Sequence, residues 1–519
     1  MTHPLRDTLL FILLLGVGCP VRAQLEGGPV VPRGTILLQF TPSLQVVDGL
    51  YAKGTGEKTP LGSQFFIGEL GSVQTPTLAA AETRFRELAG GGGAPSLRLG
   101  KTTGRLSLEE TVVRWGASYG LSDRVAAGVT VPFIKRRMDT ILRYSPDGTN
   151  VGLSPGIWAG TVSDFLAQAS SALVHTRGAV DRFCTSSGEG NATCQSGRNL
   201  IAEAEGFLAL LGTSYRDDRA FPLSGTDLGA AITGRWSILA SGLGAWNAHP
   251  PANLPLATTP VTDAFFRESV VIPAWPIAGL PLTTPEPLWD LGDIELHAAA
   301  RLMDREASDV GARAGSPSSL SFRSDVVGTL RFPTGAADSL RTLAPSTSVR
   351  GVWGVDIRIE AEALLREHLS IGGFVEGGWN GDRELDLLSP DPSQPFTPGQ
   401  TRARVRWSPG GHLRMGILPR LRLGPALSLG AGWHLFHQEA DTFAATVPTG
   451  LIPSSPAGSR TAQSIALELR YVARTSPVVE LAPFPFETFF RLSQSIAGSG
   501  SAAPVERQVE GGVSLLLGR

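Results

Sequence analysis

The chain has 519 residues, a formal charge of −2 and only 18% charged residues, with 62 glycines and 38 prolines. That balance offers no field to attract phosphates, and no basic stripe interleaved with aromatics appears, so nucleic acid is excluded as a partner. After the N-terminal segment no apolar run is long enough for a spanning helix.

In chain order, residues 1–23 read as a signal peptide. Arg6 precedes an apolar core at residues 9–17, and Val21 and Ala23 stand at the small-residue positions that signal peptidase requires. The competing reading acylates Cys19, against which Gly16 stands where such sites normally carry Leu. Residues 24–519 are then expected to be one barrel domain. Strands are expected at 34–47, interrupted by Pro42, and at 107–119 and 124–134, which form a hairpin across a tight turn at 120–123. The long connection that follows carries apolar residues at three and four spacing over 157–176 and 198–211, which predicts a helical hairpin inserted at residues 155–215. Cys184 and Cys194 lie in its linker and are expected to form a disulfide, since an exported chain meets an oxidising compartment; a two-ligand metal site is the weaker alternative. The hairpin either folds over the mouth of a pore or packs on the rim with no role in permeation.

Further strands are expected at 291–302, 320–332, 354–366, 369–379, 401–417, 420–436, 461–474, 486–496 and 505–517. The clearest is GVDIRIEAEALLR: Val355, Ile357, Ile359, Ala361, Ala363 and Leu365 share one face, while Asp356, Arg358, Glu360, Glu362 and Arg366 share the other. The last strand alternates in the same way but ends in Arg519, where many outer-membrane barrels end in an aromatic. About twelve strands result, an even number as bacterial barrels have. Short turns at 120–123, 367–368 and 418–419 alternate with long loops, which places both ends of the chain on the periplasmic side. The expected fold is all-β: a transmembrane antiparallel up-and-down β-barrel in the outer membrane of a Gram-negative cell. Outer-membrane lipid and the barrel-assembly machinery are its implied partners.

Three stretches, YGLSDRVAAGVTVPFI at 119–134, LGDIELHAAARL at 291–302 and VGTLRFPTG at 327–335, resemble the outer-membrane transporter family named for the meta pathway of phenol degradation. Its members carry a similar YGLTDR turn running into an apolar strand that ends in Pro, a strand opened by Gly-Asp, and a strand closed by Pro-Thr-Gly. The resemblance implies a barrel that passes small hydrophobic or aromatic solutes. It brings no catalytic or binding residues with it.

Lumen-facing parity gathers Asp356, Arg358, Glu360, Glu362, Arg366, Glu376, Arg402, Arg404, Arg406, Arg414, Arg420, Arg422, Glu468, Arg470 and Arg491 as candidate pore-lining residues. They either pair across the lumen and hold strands in register, or form a basic constriction that admits organic anions through bidentate arginine contacts. No cofactor is implied. His434 and His437 fall on opposite strand faces and no GxSxG or HExxH pattern occurs, so catalysis is not expected. A structural or adhesive barrel with a plugged lumen and a partner-binding helical loop is the alternative to a channel, and a lipid or ester hydrolase is a distant third.

Overall fold

The computed structural model describes residues 28–52, 54–266, 289–305, 320–335, 351–365, 368–388, 396, 402–424, 426–445, 458–473, 485–500 and 503–518. The expected signal peptide, Cys19 and Arg366 lie outside these residues. Twelve strands form one antiparallel ring: β1 (Ile36–Tyr51), β2 (Arg98–Ser122), β3 (Val125–Ser145), β4 (Ile294–Arg305), β5 (Leu320–Phe332), β6 (Gly354–Leu365), β7 (Leu369–Asn380), β8 (His412–Arg422), β9 (Leu427–Gln438), β10 (Arg460–Ala473), β11 (Phe486–Gly500) and β12 (Ala503–Leu517). Each pairs with its neighbours in chain order. β1 closes the ring, because Ile36 pairs with both Leu517 of β12 and Tyr119 of β2.

Strand pleating turns alternate side chains outward, so Ile357, Ile359, Leu467, Leu469 and Leu492 all stand exposed on the outer wall. Apolar surface of this extent is far more than a soluble monomer leaves to water, and its natural solvent is hydrocarbon. Trp289, Trp353 and Trp379 lie at one rim and Tyr119 near the other, the positions at which amphipathic rings settle between lipid and water. The fold is therefore a transmembrane β-barrel.

Several strand boundaries differ from the sequence expectation: the strands expected at 34–47, 107–119 and 124–134 run over Ile36–Tyr51, Arg98–Ser122 and Val125–Ser145. The turn expected at 418–419 lies at 423–426 instead, and Pro419 sits inside β8 opposite Ile371 of β7. Proline lacks a donor, and the β8–β9 register accordingly skips Leu418 and Pro419 between Ile417↔Trp433 and Arg420↔Gly430. The segment expected as one strand at 401–417 is broken at Pro409, and its first part, Arg402–Ser408, joins Arg383–Leu388 and Thr442–Ala445 in a three-stranded sheet separate from the ring. Gly120, expected in a turn, lies within β2. A Cβ there would stand 2.0 Å from the Pro32 carbonyl oxygen, because the N-terminal segment crosses it, tied by Gly34 N–H to Gly120 O at 2.9 Å.

β2 and β3 outgrow the barrel. Pairing of β1 with β2 stops at Val47↔Leu108, whereas the β2–β3 ladder continues to Lys101↔Ser145. Helices α1 (Ala79–Leu88), α2 (Gly160–Ser187), α3 (Ala192–Asp217) and α4 (Asp227–Gly244) pack on this projection around Phe165, Phe207, Phe221 and the fully buried Trp236, with Leu106, Leu142 and Tyr144 from the strands. α2 and α3 are longer than their apolar periodicity suggested and take in most of the expected linker. Neither α1 nor α4 has a counterpart in the sequence reading; in α4, glycines and serines dilute the apolar stripe. Its first residue, Asp227, accepts from Arg98 Nη2 at 2.7 Å; burial opposes the charge, yet Arg98, Asn150 and the Leu228 N–H together hold the carboxyl below the usual carboxylate range. The prolines of 250–260 are held in place as Trp236 Nε1 donates to Pro251 O at 2.9 Å.

The three motif stretches meet at one point of the outer rim. Gly292 N–H donates to Pro132 O at 2.7 Å, Thr334 Oγ1 donates to Gly292 O at 2.8 Å, and Ile294 N–H donates to Thr334 Oγ1 at 2.9 Å. The buried Asp293 carboxylate accepts from Gly335 N–H at 2.8 Å and Gly351 N–H at 2.9 Å. The direct β3–β4 ladder ends just below this point, at Thr130↔Glu295. Asp293→Ala strands two buried donors, each worth about 1–3 kcal/mol. It is expected to lower the unfolding temperature of the barrel on heat-modifiable gels, and an unchanged temperature would remove Asp293 from its structural role.

Cys184 and Cys194 form a disulfide with Cα atoms 5.2 Å apart, joining the last turn of α2 to the first of α3 beside Val180 and Leu243. The loop it closes is short, so the bond contributes about 3 kcal/mol at most and only locally. Cys184→Ser with Cys194→Ser should speed proteolysis between α2 and α3 while gel mobility of the barrel stays as in the parent. Failure of the double variant to assemble would contradict this.

Candidate functional site

The lumen wall is built from the inward parity of each strand, and glycines there decide where space remains. Gly372, Gly416 and the backbone near Leu418 line an inner cavity of about 270 Å³ with Arg358, Glu362 and Arg420. Gly28 also lines it, and a Cβ on Gly28 would stand 2.9 Å from Asp325 Oδ2, so the N-terminal segment runs inside the barrel. An outer cavity of about 540 Å³ lies between Gln45, Glu110, Arg136, Arg460 and Glu506. Phe374, His434 and Arg491 border both cavities.

Those three residues stand where the two cavities meet. The Arg358 guanidinium lies 4.0 Å from the Phe374 ring centroid, and the Phe374 and His434 centroids are 6.0 Å apart. Both rings pack over Gly416, where a Cβ would come within 2.5 Å of His434 and 2.6 Å of Phe374. Only a residue without a side chain permits that stack.

Most lumenal charges are compensated. Glu468, 1% exposed, is surrounded by Arg420 at 3.2 Å, Arg470 at 3.3 Å and Arg491, whose Nε donates at 3.0 Å. Arg420 reaches on to Glu362, Arg470 to Glu487 and Arg491 to Glu510. A second network joins Arg331 to Asp356 at 2.6 Å, His412 to Asp356 at 3.4 Å, and Glu376 to both Arg414 at 3.1 Å and Arg358 at 3.7 Å; Arg358 also holds Glu360 at 3.1 Å. Arg422 lines a small pocket near the inner end beside Arg420 and Arg470.

Arg402, Arg404 and Arg406 belong to the separate sheet, so the sequence expectation is corrected for them. Arg404 and Arg406 are exposed and face Glu384 and Asp382. Their alternation is genuine but serves another sheet. The sequence reading passed over Arg114, Arg136, Arg301, Arg331 and Arg460, and the aromatic residues Phe374 and Phe436, which pack against His434 and His412. For Arg114 the signal was present, since it opposes Trp115 and Tyr119 in parity. Arg460 stood one residue before the expected strand.

Neither cavity is bordered by α1 to α4. The helices rest on the projecting β2–β3 hairpin, through Leu106, Leu142 and Tyr144.

No protein-family model matches the chain, and no characterised protein matches it by sequence. Among solved structures, it is similar to an outer-membrane channel from Pseudomonas putida F1, with 9% identity, a TM-score of 0.42, and 95% of this chain and 100% of that one covered. It is also similar to the translocator domain of the autotransporter NalP from Neisseria meningitidis, with 8% identity, TM-score 0.26, and 94% and 89% covered. The Pseudomonas putida toluene transporter TodX matches with 9% identity, TM-score 0.25, and 94% and 89% covered.

Phe374→Ala removes the ring that separates the cavities, and no backbone hydrogen bond depends on that side chain. Single-channel conductance is expected to rise with gel mobility unchanged. Equal conductance in parent and variant would show that Phe374 does not limit passage between the cavities.

Proposed function

We propose that this chain is a passive channel of the Gram-negative outer membrane for small hydrophobic or aromatic solutes, exported through a cleaved signal peptide. We place it in the transporter family named for the meta pathway of phenol degradation on the strength of the three motif stretches. The observation that carries the reading is two cavities lying end to end within one closed barrel, meeting at Phe374, His434 and Arg491. A flat solute passing that point meets aromatic faces and fixed, already paired charges, so it displaces little tightly held water. Charged lumen residues here serve mainly to hold the wall in shape.

Purified protein in planar bilayers should pass current in KCl, and cells carrying it should take up labelled toluene faster than cells lacking it. Absence of both conductance and uptake would sink the reading. The structural or adhesive alternative is favoured by the separate core of the helical layer and by Trp158, 95% exposed beside α2. It requires that Trp158→Ala weaken attachment to a surface while toluene uptake is unchanged.

A further inference from the structure

Of the arginines lining the outer cavity, two have no carboxylate in contact among the described residues. Arg114 of β2 is exposed to the lumen and has no hydrogen-bond or ion-pair partner among the described residues. Arg460 of β10 donates from Nε and Nη2 to the Gln438 side-chain oxygen at 3.0 and 2.7 Å and lies 5.9 Å from the Phe436 ring centroid. Glutamine is neutral, so among the described residues that charge has no counter-ion in contact. The other arginines bordering this cavity are taken: Arg136 by Glu110 at 2.6 Å, Arg414 by Glu376 and Arg491 by Glu468 and Glu510. One bordering carboxylate, Glu506, has no arginine in contact among the described residues and accepts from Gln45 Nε2.

Two positive groups against one bordering carboxylate give the lining of the outer cavity an excess of positive charge, with Glu295 acting on Arg114 from outside the lining and without contact, next to apolar surface from Val47, Leu108 and Phe436. We propose that this cavity is a binding site for a small organic anion with an apolar body, an aromatic or short aliphatic carboxylate. Its carboxylate is taken by Arg114 and Arg460, and its body lies against Phe436 and Leu108. Guanidinium donors match a carboxylate in plane and in spacing, and a confined lumen screens the attraction less than bulk water does. A volume of about 540 Å³ accommodates a ligand of this size. The inference deepens the channel reading by naming a solute class for the same lumen.

The test uses the full-length mature protein in detergent, titrated with benzoate, benzyl alcohol and benzylamine, which share a ring and differ in charge. Benzoate should bind about tenfold or more tighter than the other two, and Arg114→Gln and Arg460→Gln should each lose about tenfold of that affinity. Arg404→Gln, on the outer sheet, should leave it unchanged. In planar bilayers under a KCl gradient, the parent should favour chloride, and the double variant should shift its reversal potential toward potassium. Because the single variants remove no ion pair, gel mobility should match the parent and verify that each folds. Benzoate binding no tighter than benzyl alcohol, or undiminished by both single variants, would overturn the site. If toluene passes but benzoate does not bind, the site fails and the channel stands. If benzoate binds through Arg114 and Arg460 while no solute passes, the channel reading fails and the site stands.

Discussion

Every part of this molecule depends on closing a ladder of backbone hydrogen bonds in a solvent that offers none. In hydrocarbon an unpaired N–H or C=O costs several kcal/mol, roughly the scale of a whole domain's stability after a few residues, so the sheet has no tolerable edge. β1 resolves this by pairing along its length with β12 on one side and β2 on the other. Proline positions show how strict the requirement is. At Pro419 the β8–β9 register skips two residues, and at Pro132 the carbonyl is satisfied by Gly292 from a strand that has left the direct ladder. The motif residues Asp293 and Thr334 then tie down the segments that this departure frees.

Closure fixes parity, and parity puts arginines and carboxylates into a space too narrow to hydrate each fully. Burying a single carboxylate such as Glu468 is costly, and three surrounding guanidinium groups offset that cost through short contacts on several sides. Such networks draw partners from different strands, so they brace the wall as well as neutralising it. Their completeness along β6, β7, β8 and β10 is what gives meaning to the two arginines of the outer cavity that lack a carboxylate.

The helical layer follows a different physics. Its helices turn apolar faces to one another and to the water-exposed extension of β2 and β3, making a core of the kind soluble proteins have. One chain thus carries two solvents' worth of patterning: apolar residues outward in the barrel and inward in the helices. The β2–β3 hairpin crosses between them, which explains why its pairing runs so far past the ring.

The sequence by itself determined the period, the number of strands and the division of a single strand such as β6 into two faces, because those follow from alternation within that strand. Asp356, Arg358 and Glu360 were legible for that reason. It also marked the cysteine pair and the helical stripes of α2 and α3, though not α1. What it left undecided were matters between segments. Alternation runs through residues 402–408 as cleanly as through β8, and only pairing with Arg383–Leu388 assigns Arg404 and Arg406 to a different sheet. In the same way, Arg420 and Arg460 look alike along the chain, but Glu468 stands beside one and only Gln438 beside the other. Charge compensation is a property of neighbouring strands in register, and register is set when the ring closes, which no local pattern records.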